Sequence, residues 1–243
     1  YNKADFYDLF GPTKRSRKGL NFGLSINRSL VSDAPKNLDL NLGFSGYYGL
    51  NQSPEFQQIN FENKDFNTNL FYNVYTSLAY RNLKGSVGAV DAEKGFKTSL
   101  TLSSAYTEGN LFPKAQGNLD LGFQLPIKHT ALWFRNAFGN SFTNSVNPFT
   151  RYGFASFGNN YIDNAASKMY RNTYAFAGLT YDSDVSIIAK TFYKTMLELS
   201  LPPLRYRKFG FFNLFATYSH PTIFAGSLFT KNNYQYIDNN KTV

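Results

Sequence analysis

Leu38, Leu40, Leu42 and Phe44 alternate with Asp39, Asn41, Gly43 and Ser45, and that two-residue period restricts the chain to strands with one apolar and one polar face. The pattern recurs. Leu119, Leu121, Phe123 and Leu125 alternate with Asn118, Asp120, Gly122 and Gln124, and Leu20, Phe22, Leu24 and Ile26 with Asn21, Gly23, Ser25 and Asn27. Looser copies include Leu70, Tyr72, Val74, Leu78 and Tyr80; Leu100 and Leu102; Leu132, Phe134 and Phe138; and Tyr193, Leu197, Leu199 and Leu201. Segments of roughly ten residues with this alternation are the signature of transmembrane β-strands.

Alternation alone also fits a soluble β-sandwich, whose solvent face would be polar. Two features favour an all-β antiparallel transmembrane barrel. Aromatic residues, 25 Phe and 18 Tyr, sit near many strand ends, where a barrel carries its interfacial girdles. The polar faces are built largely from Gly, Ser and Asn, where a soluble sheet would carry more Lys, Glu and Thr. The pairs Tyr47–Tyr48 and Phe211–Phe212 read as girdle residues. No window approaches the apolar run that a membrane helix needs, so a spanning role would require strands, and strands span lipid only as a closed cylinder.

About eight strands are expected, or nine if the bend at Pro221 is a turn. Pro126 to His129 reads as a tight turn and Pro202 to Arg207 as another, with a strand from Phe209 through Tyr218 and onward. Residues 140–185, rich in Asn, Gly, Tyr and Ser, form a connection long enough to be functional or to fold into a lumen. Residues Asn51 to Lys64 form a second long loop on the same, extracellular, side. Residues 1–17 are a leading segment, and the polar sequence up to Val243 reads as a barrel segment continuing into a longer protein.

Chemistry-bearing residues are sparse. There is no cysteine, and His129 and His220 are the only histidines, so neither a metal site nor any cofactor is expected. Ser219 precedes His220, but neighbours on a strand face opposite ways, and no enzyme activity is expected. The glycines from Gly85 to Gly95 lack a phosphate-binding pattern and read as turns. Net charge is +9, yet only Lys14, Arg15, Arg17 and Lys18 form a dense run; such a run suits anionic lipid headgroups, including lipopolysaccharide, and nucleic acid is not an expected partner. On the polar faces Arg81, Asp120, Arg135, Lys194 and Glu198 are candidate lumen-wall charges. Within the long connection Arg151 is the residue expected to meet a carboxylate such as Asp120 or Glu198.

Several blocks in order are DFYDLFGPTKRSRKG from Asp5, GNLDLGFQLPI from Gly117, YGFASFGNNYID from Tyr152 and LELSLPPLRYRKFG from Leu197. Together they resemble the carboxy-terminal barrel of bacterial proteins that carry a TolB-like β-propeller ahead of a surface-antigen barrel, a class similar to the BamA and TamA assembly factors. The resemblance implies a bacterial outer-membrane location, a barrel of about sixteen strands, and transport, translocation or envelope assembly as the role. It also implies a periplasmic propeller or other envelope subunits as partners, or alternatively a purely structural anchor for such a module. In that class a lumen loop carries an Arg-Gly-aromatic tip. The comparable residues here are Arg151, Tyr152, Gly153 and Phe154, with a Tyr between Arg and Gly, followed by Phe157, Gly158, Asn159 and Asn160.

Overall fold

The computed structural model of the protein describes residues 20–48, 70–107, 109–143, 150–154, 168–176, 187–211 and 214–231. Most of these residues are strand. β1 (Leu20–Asp33), β2 (Lys36–Tyr48), β3 (Leu70–Lys84), β4 (Lys94–Thr107), β5 (Asn110–Gln124) and β6 (Ala131–Ser141) make an antiparallel meander. After β7 (Tyr152–Phe154), a 3₁₀ turn (Met169–Arg171) and β8 (Ile187–Ala189), the chain returns as β9 (Thr191–Ser200) beside β6. β10 (Leu204–Phe211) and β11 (Leu214–Ser219) precede β12 (Thr222–Lys231), which pairs with β9. One eight-stranded sheet results, in the order β1-β2-β3-β4-β5-β6-β9-β12, with β7–β8 and β10–β11 as separate two-stranded sheets. Among the described residues no helix is long and apolar enough to cross a membrane.

The register converts the sequence alternation into two faces. Residues directly opposite on paired strands share a face, so Leu40, Leu78, Leu100, Gly117, Phe138, Tyr193 and Phe229 form one continuous apolar row. On the reverse face Asn37, Arg81, Lys97, Asp120 and Arg135 form a polar row that meets Met196 on β9. Glycines let rings lie flat across the ladder. A Cβ added to Gly122 would sit 2.5 Å from the Trp133 ring, and one on Gly117 would sit 2.3 Å from the Phe138 ring. The rings therefore occupy space that any other residue would fill. Gly109, at φ +78°, supplies the left-handed step of the tight β4–β5 turn.

Strand direction defines two rims. One holds the β1–β2 turn, the β3–β4 connection, the β5–β6 turn, the end of β9 and the start of β12; β2, β4, β6 and β9 meet their other connections at the opposite rim. The expected turn at Pro126 to His129 is present, closed by Thr130 N–H donating to Ile127 O at 3.2 Å. The expected turn at Pro202 to Arg207 is not. The prolines lack N–H donors and interrupt the ladder without reversing it, and Leu201 N–H still reaches Pro221 O at 3.0 Å. The chain turns instead between Phe211 and Leu214, so Phe209 and Tyr218 lie on opposite arms of a hairpin, not on one strand; Phe209 pairs with Ala216 and Arg205 with Tyr218. The leading segment 1–17 and the loop 51–64 lie outside the described residues.

Candidate functional site

The polar face is covered by the long connection between β6 and β9. The connection leaves at one rim, and of its described residues 150–154 and 187–190 lie near that rim, 172–175 lie midway, and Lys168 and Arg171 reach Asp91 at the other. At the near end Tyr152 and Phe154 pack in a buried cluster with Ala137, Ala189 and Phe192. Both rings meet Phe192 edge-on at 4.9 Å. The Tyr152 hydroxyl donates to Ala115 O at 2.9 Å, with Asn140 O 3.2 Å away. Lys114 Nζ lies 5.1 Å above the Tyr152 ring and donates to Arg151 O at 3.5 Å.

Midway, Lys194 of β9 uses its ammonium donors on backbone carbonyls of the covering segment, Asn172 O at 2.7 Å and Ala175 O at 2.6 Å. Thr173 Oγ1 donates to Asn118 Oδ1 at 3.0 Å, and the Tyr174 hydroxyl bonds Gln116. The centre of the site is Glu198, whose side chain is fully buried. Arg135 Nε reaches its Oε2 at 2.7 Å, and the other side of the same guanidinium reaches Asp120 Oδ2 at 2.9 Å. Arg171 enters from the covering segment, donating from Nε to Glu198 Oε2 at 3.0 Å and making a second, shorter bond to Oε1. The Arg135 guanidinium also lies 4.7 Å from the Trp133 ring.

At the far rim Asp91 ties the segment to the β3–β4 connection. It accepts from Arg171 at 3.0 Å and from Lys168 at 2.8 Å. Burial pushes its carboxyl up, but the hydrogen bond from Lys168 and the charge of Arg171 outweigh that and hold it below the usual carboxylate range. Lys168 Nζ also lies 3.2 Å from His220 Nδ1. Burial, then the charge of Lys168, keep His220 below its ordinary pKa. Counting the described members, three carboxylates (Asp91, Asp120, Glu198) face four cations (Arg135, Lys168, Arg171, Lys194).

Sequence reasoning set Asp120, Arg135, Lys194 and Glu198 on one polar face, and the structure brings these four together. Arg81 lies on the same face, in the row of Lys97 and Asp120, but further along the sheet and exposed. The cation that meets Glu198 from the connection is Arg171. Arg151 lies at the other end of the strands, near Lys114. Phe157, Gly158, Asn159 and Asn160 lie outside the described residues. Lys168, Arg171 and Asp91 were missed because no local pattern marks them.

A second constellation sits under the β5–β6 turn. His129 Nδ1 is 2.8 Å from Glu93 Oε1 and 3.2 Å from Ser86 Oγ. Both partners meet the same ring nitrogen, whereas proton relay through a histidine needs them on opposite nitrogens. Ser86 N–H also donates to Glu93 Oε2 at 2.9 Å, so the group locks two rim connections together. Burial alone would raise the Glu93 carboxyl, but the bonds from Ser86 and His129 hold it low. No protein-family model matches the sequence, and comparison with curated proteins finds no match.

Proposed function

We propose that this sheet is part of the wall of a bacterial outer-membrane β-barrel, with its apolar face in lipid and its polar face lining a lumen that the β6–β9 connection plugs. One observation carries the reading: exposure is inverted. On interior strands Glu198 is 0% and Lys194 6% exposed, while Leu197 is 50%, Phe138 47% and Leu100 47% exposed. Water-soluble proteins arrange these residue types the other way round, and a lipid-facing sheet requires this order. β1 and β12 end the sheet; in hydrocarbon their free backbone groups would each cost several kcal/mol, so the reading includes closure with further strands into a barrel of about sixteen. The role consistent with this arrangement is transport, translocation or envelope assembly in the surface-antigen barrel class, with lipopolysaccharide at the outer leaflet and a propeller or other envelope subunit as partner.

A second reading is a structural anchor for such a module. It is favoured by how firmly the segment is held and by the small void, about 30 Å³, left beside Asp120, Arg135, Arg171 and Lys194. The two readings separate by single-channel conductance in planar bilayers. Phe154 pairs with Ile187, so a two-residue Gly-Asn turn can replace 155–186 without breaking the β7–β8 ladder. Conductance that is small in the wild type and enlarged in this variant supports translocation through a plugged lumen. Silence from both, in protein shown by protease protection to be inserted, supports the anchor.

A further inference from the structure

We propose that the β10–β11 hairpin is a membrane-surface arm that binds the anionic phosphate headgroups of the leaflet at its own rim. This rests on the transmembrane reading above.

The hairpin continues the β9–β12 ladder beyond the sheet: Leu201 bonds Pro221 across the break, and Leu204 then pairs with Ser219. If the ten-residue β9 and β12 cross the hydrocarbon at ~3.3 Å per residue, the hairpin leaves the barrel at headgroup depth. A two-stranded ribbon is marginal in water without a surface to rest on. Apolar groups are nevertheless exposed along this one, with Leu204 at 56%, Tyr206 at 37% and Tyr218 at 52%. Leu204 and Tyr206 share one ribbon face and Tyr218 lies on the other.

Its composition selects the partner. Residues 204–219 contain Arg205, Arg207 and Lys208, six aromatic residues and no Asp or Glu, and no acidic residue occurs between Glu198 and Asp238. Aromatic rings favour the bilayer–water interface, and clustered cations beside it are drawn to anionic lipid. Arg205 donates to Gly88 O at 2.6 Å, which fixes the base of the arm against the β3–β4 connection and so sets the direction in which it leaves.

The chain has no cysteine, so single labels can be placed cleanly. Thr217→Cys, at an exposed position of the hairpin, and, separately, Leu100→Cys on the apolar face would carry an environment-sensitive fluorophore. The full-length protein would be reconstituted in phosphatidylcholine vesicles with and without phosphatidylglycerol, and quenching by headgroup nitroxide compared with quenching by aqueous iodide. The expected result is nitroxide quenching at position 217 that rises about twofold with the anionic lipid and falls back in Arg207→Glu/Lys208→Glu. Quenching at 217 that ignores lipid charge overturns the headgroup assignment. Iodide quenching at 217 with a lipid-buried label at 100 overturns the arm alone and turns the surface over to a protein partner. Iodide quenching at both positions overturns the transmembrane reading itself.

Discussion

Glu198 and Arg135 meet diagonally: in the β6–β9 ladder Glu198 stands opposite Trp133 and Arg135 opposite Met196, yet Arg135 Nε lies 2.7 Å from Glu198 Oε2. Arg171 meets the same two carboxylate oxygens from the covering segment, so one buried charge holds a strand neighbour and that segment at once.

Glu198→Gln keeps the shape and removes the charge, leaving Arg135 with Asp120 alone and Arg171 with Asp91 alone as carboxylate partners among the described residues. Breaking a buried ion pair from one side costs about 3–5 kcal/mol. Urea unfolding from lipid vesicles is expected to show a loss of that size. Arg171→Met should cost less, because Arg135 still neutralises Glu198; an equal or larger loss would mean that Arg171 is the principal partner.

Lys194→Met removes the donors that hold the Asn172 and Ala175 carbonyls while leaving the Glu198 pairs in place. Amide exchange at 170–176 is expected to accelerate about tenfold or more, since each charged hydrogen bond is worth roughly 1.5–3 kcal/mol. Exchange within β9 should stay slow. Acceleration throughout the sheet would mean that the lysine supports the wall rather than the segment.

The strands and their two faces were legible because a two-residue period survives whatever lies on either side of the sheet. Leu38, Leu40 and Leu42 predict their own orientation locally. The site was only half legible. Asp120, Arg135, Lys194 and Glu198 stand out as charges on strands, but Arg171 is 27 residues from Glu198 and 80 from Asp91, and only the path of the connection brings it there. The hairpin at Phe211–Leu214 was hidden for another reason: the Pro202–Pro203 pair looks like a turn, and its effect on the ladder depends on what stands opposite.

Gly122→Ala places a methyl against the face of the Trp133 ring, where the added Cβ would lie 2.5 Å from ring atoms. Overpacking of this kind costs about 1–3 kcal/mol. Trp133 is the single tryptophan, so its emission reports the displacement directly. An unchanged spectrum and unchanged stability would show that the ring moves freely.

Acidification is expected to loosen the far rim in two stages. His220 is held below its ordinary value of 6.5, so its contribution is complete above that pH and is lost as pH falls through the lower folded value. Asp91 and Glu93 are likewise held low, so their contributions are complete above the usual carboxylate range and disappear at more acidic pH. Acrylamide quenching of Trp133 should rise in both steps, and His220→Gln should abolish the first alone. A first step that survives this substitution assigns it to another group.

Leu100→Arg on the apolar face should destabilise by about 2–4 kcal/mol if the position sits near the bilayer midplane. Ser99→Arg, one residue away on the polar face, should cost far less. Similar costs at the two positions, measured by vesicle unfolding, would argue against lipid on the apolar side.

β6 and β9 are neighbours in the sheet but are separated by residues 142–190, whereas β1 and β2 are joined by two residues. Closing the longer loop costs about 3 kcal/mol more chain entropy on a logarithmic scale. During biogenesis this splits the molecule in time: the β1–β6 meander can zip from local contacts, while the β9–β12 hairpin must wait for a distant partner. The contacts of Lys194 and Glu198 with the covering segment offset that cost, so the connection also serves as an internal template on which the last strands join the sheet.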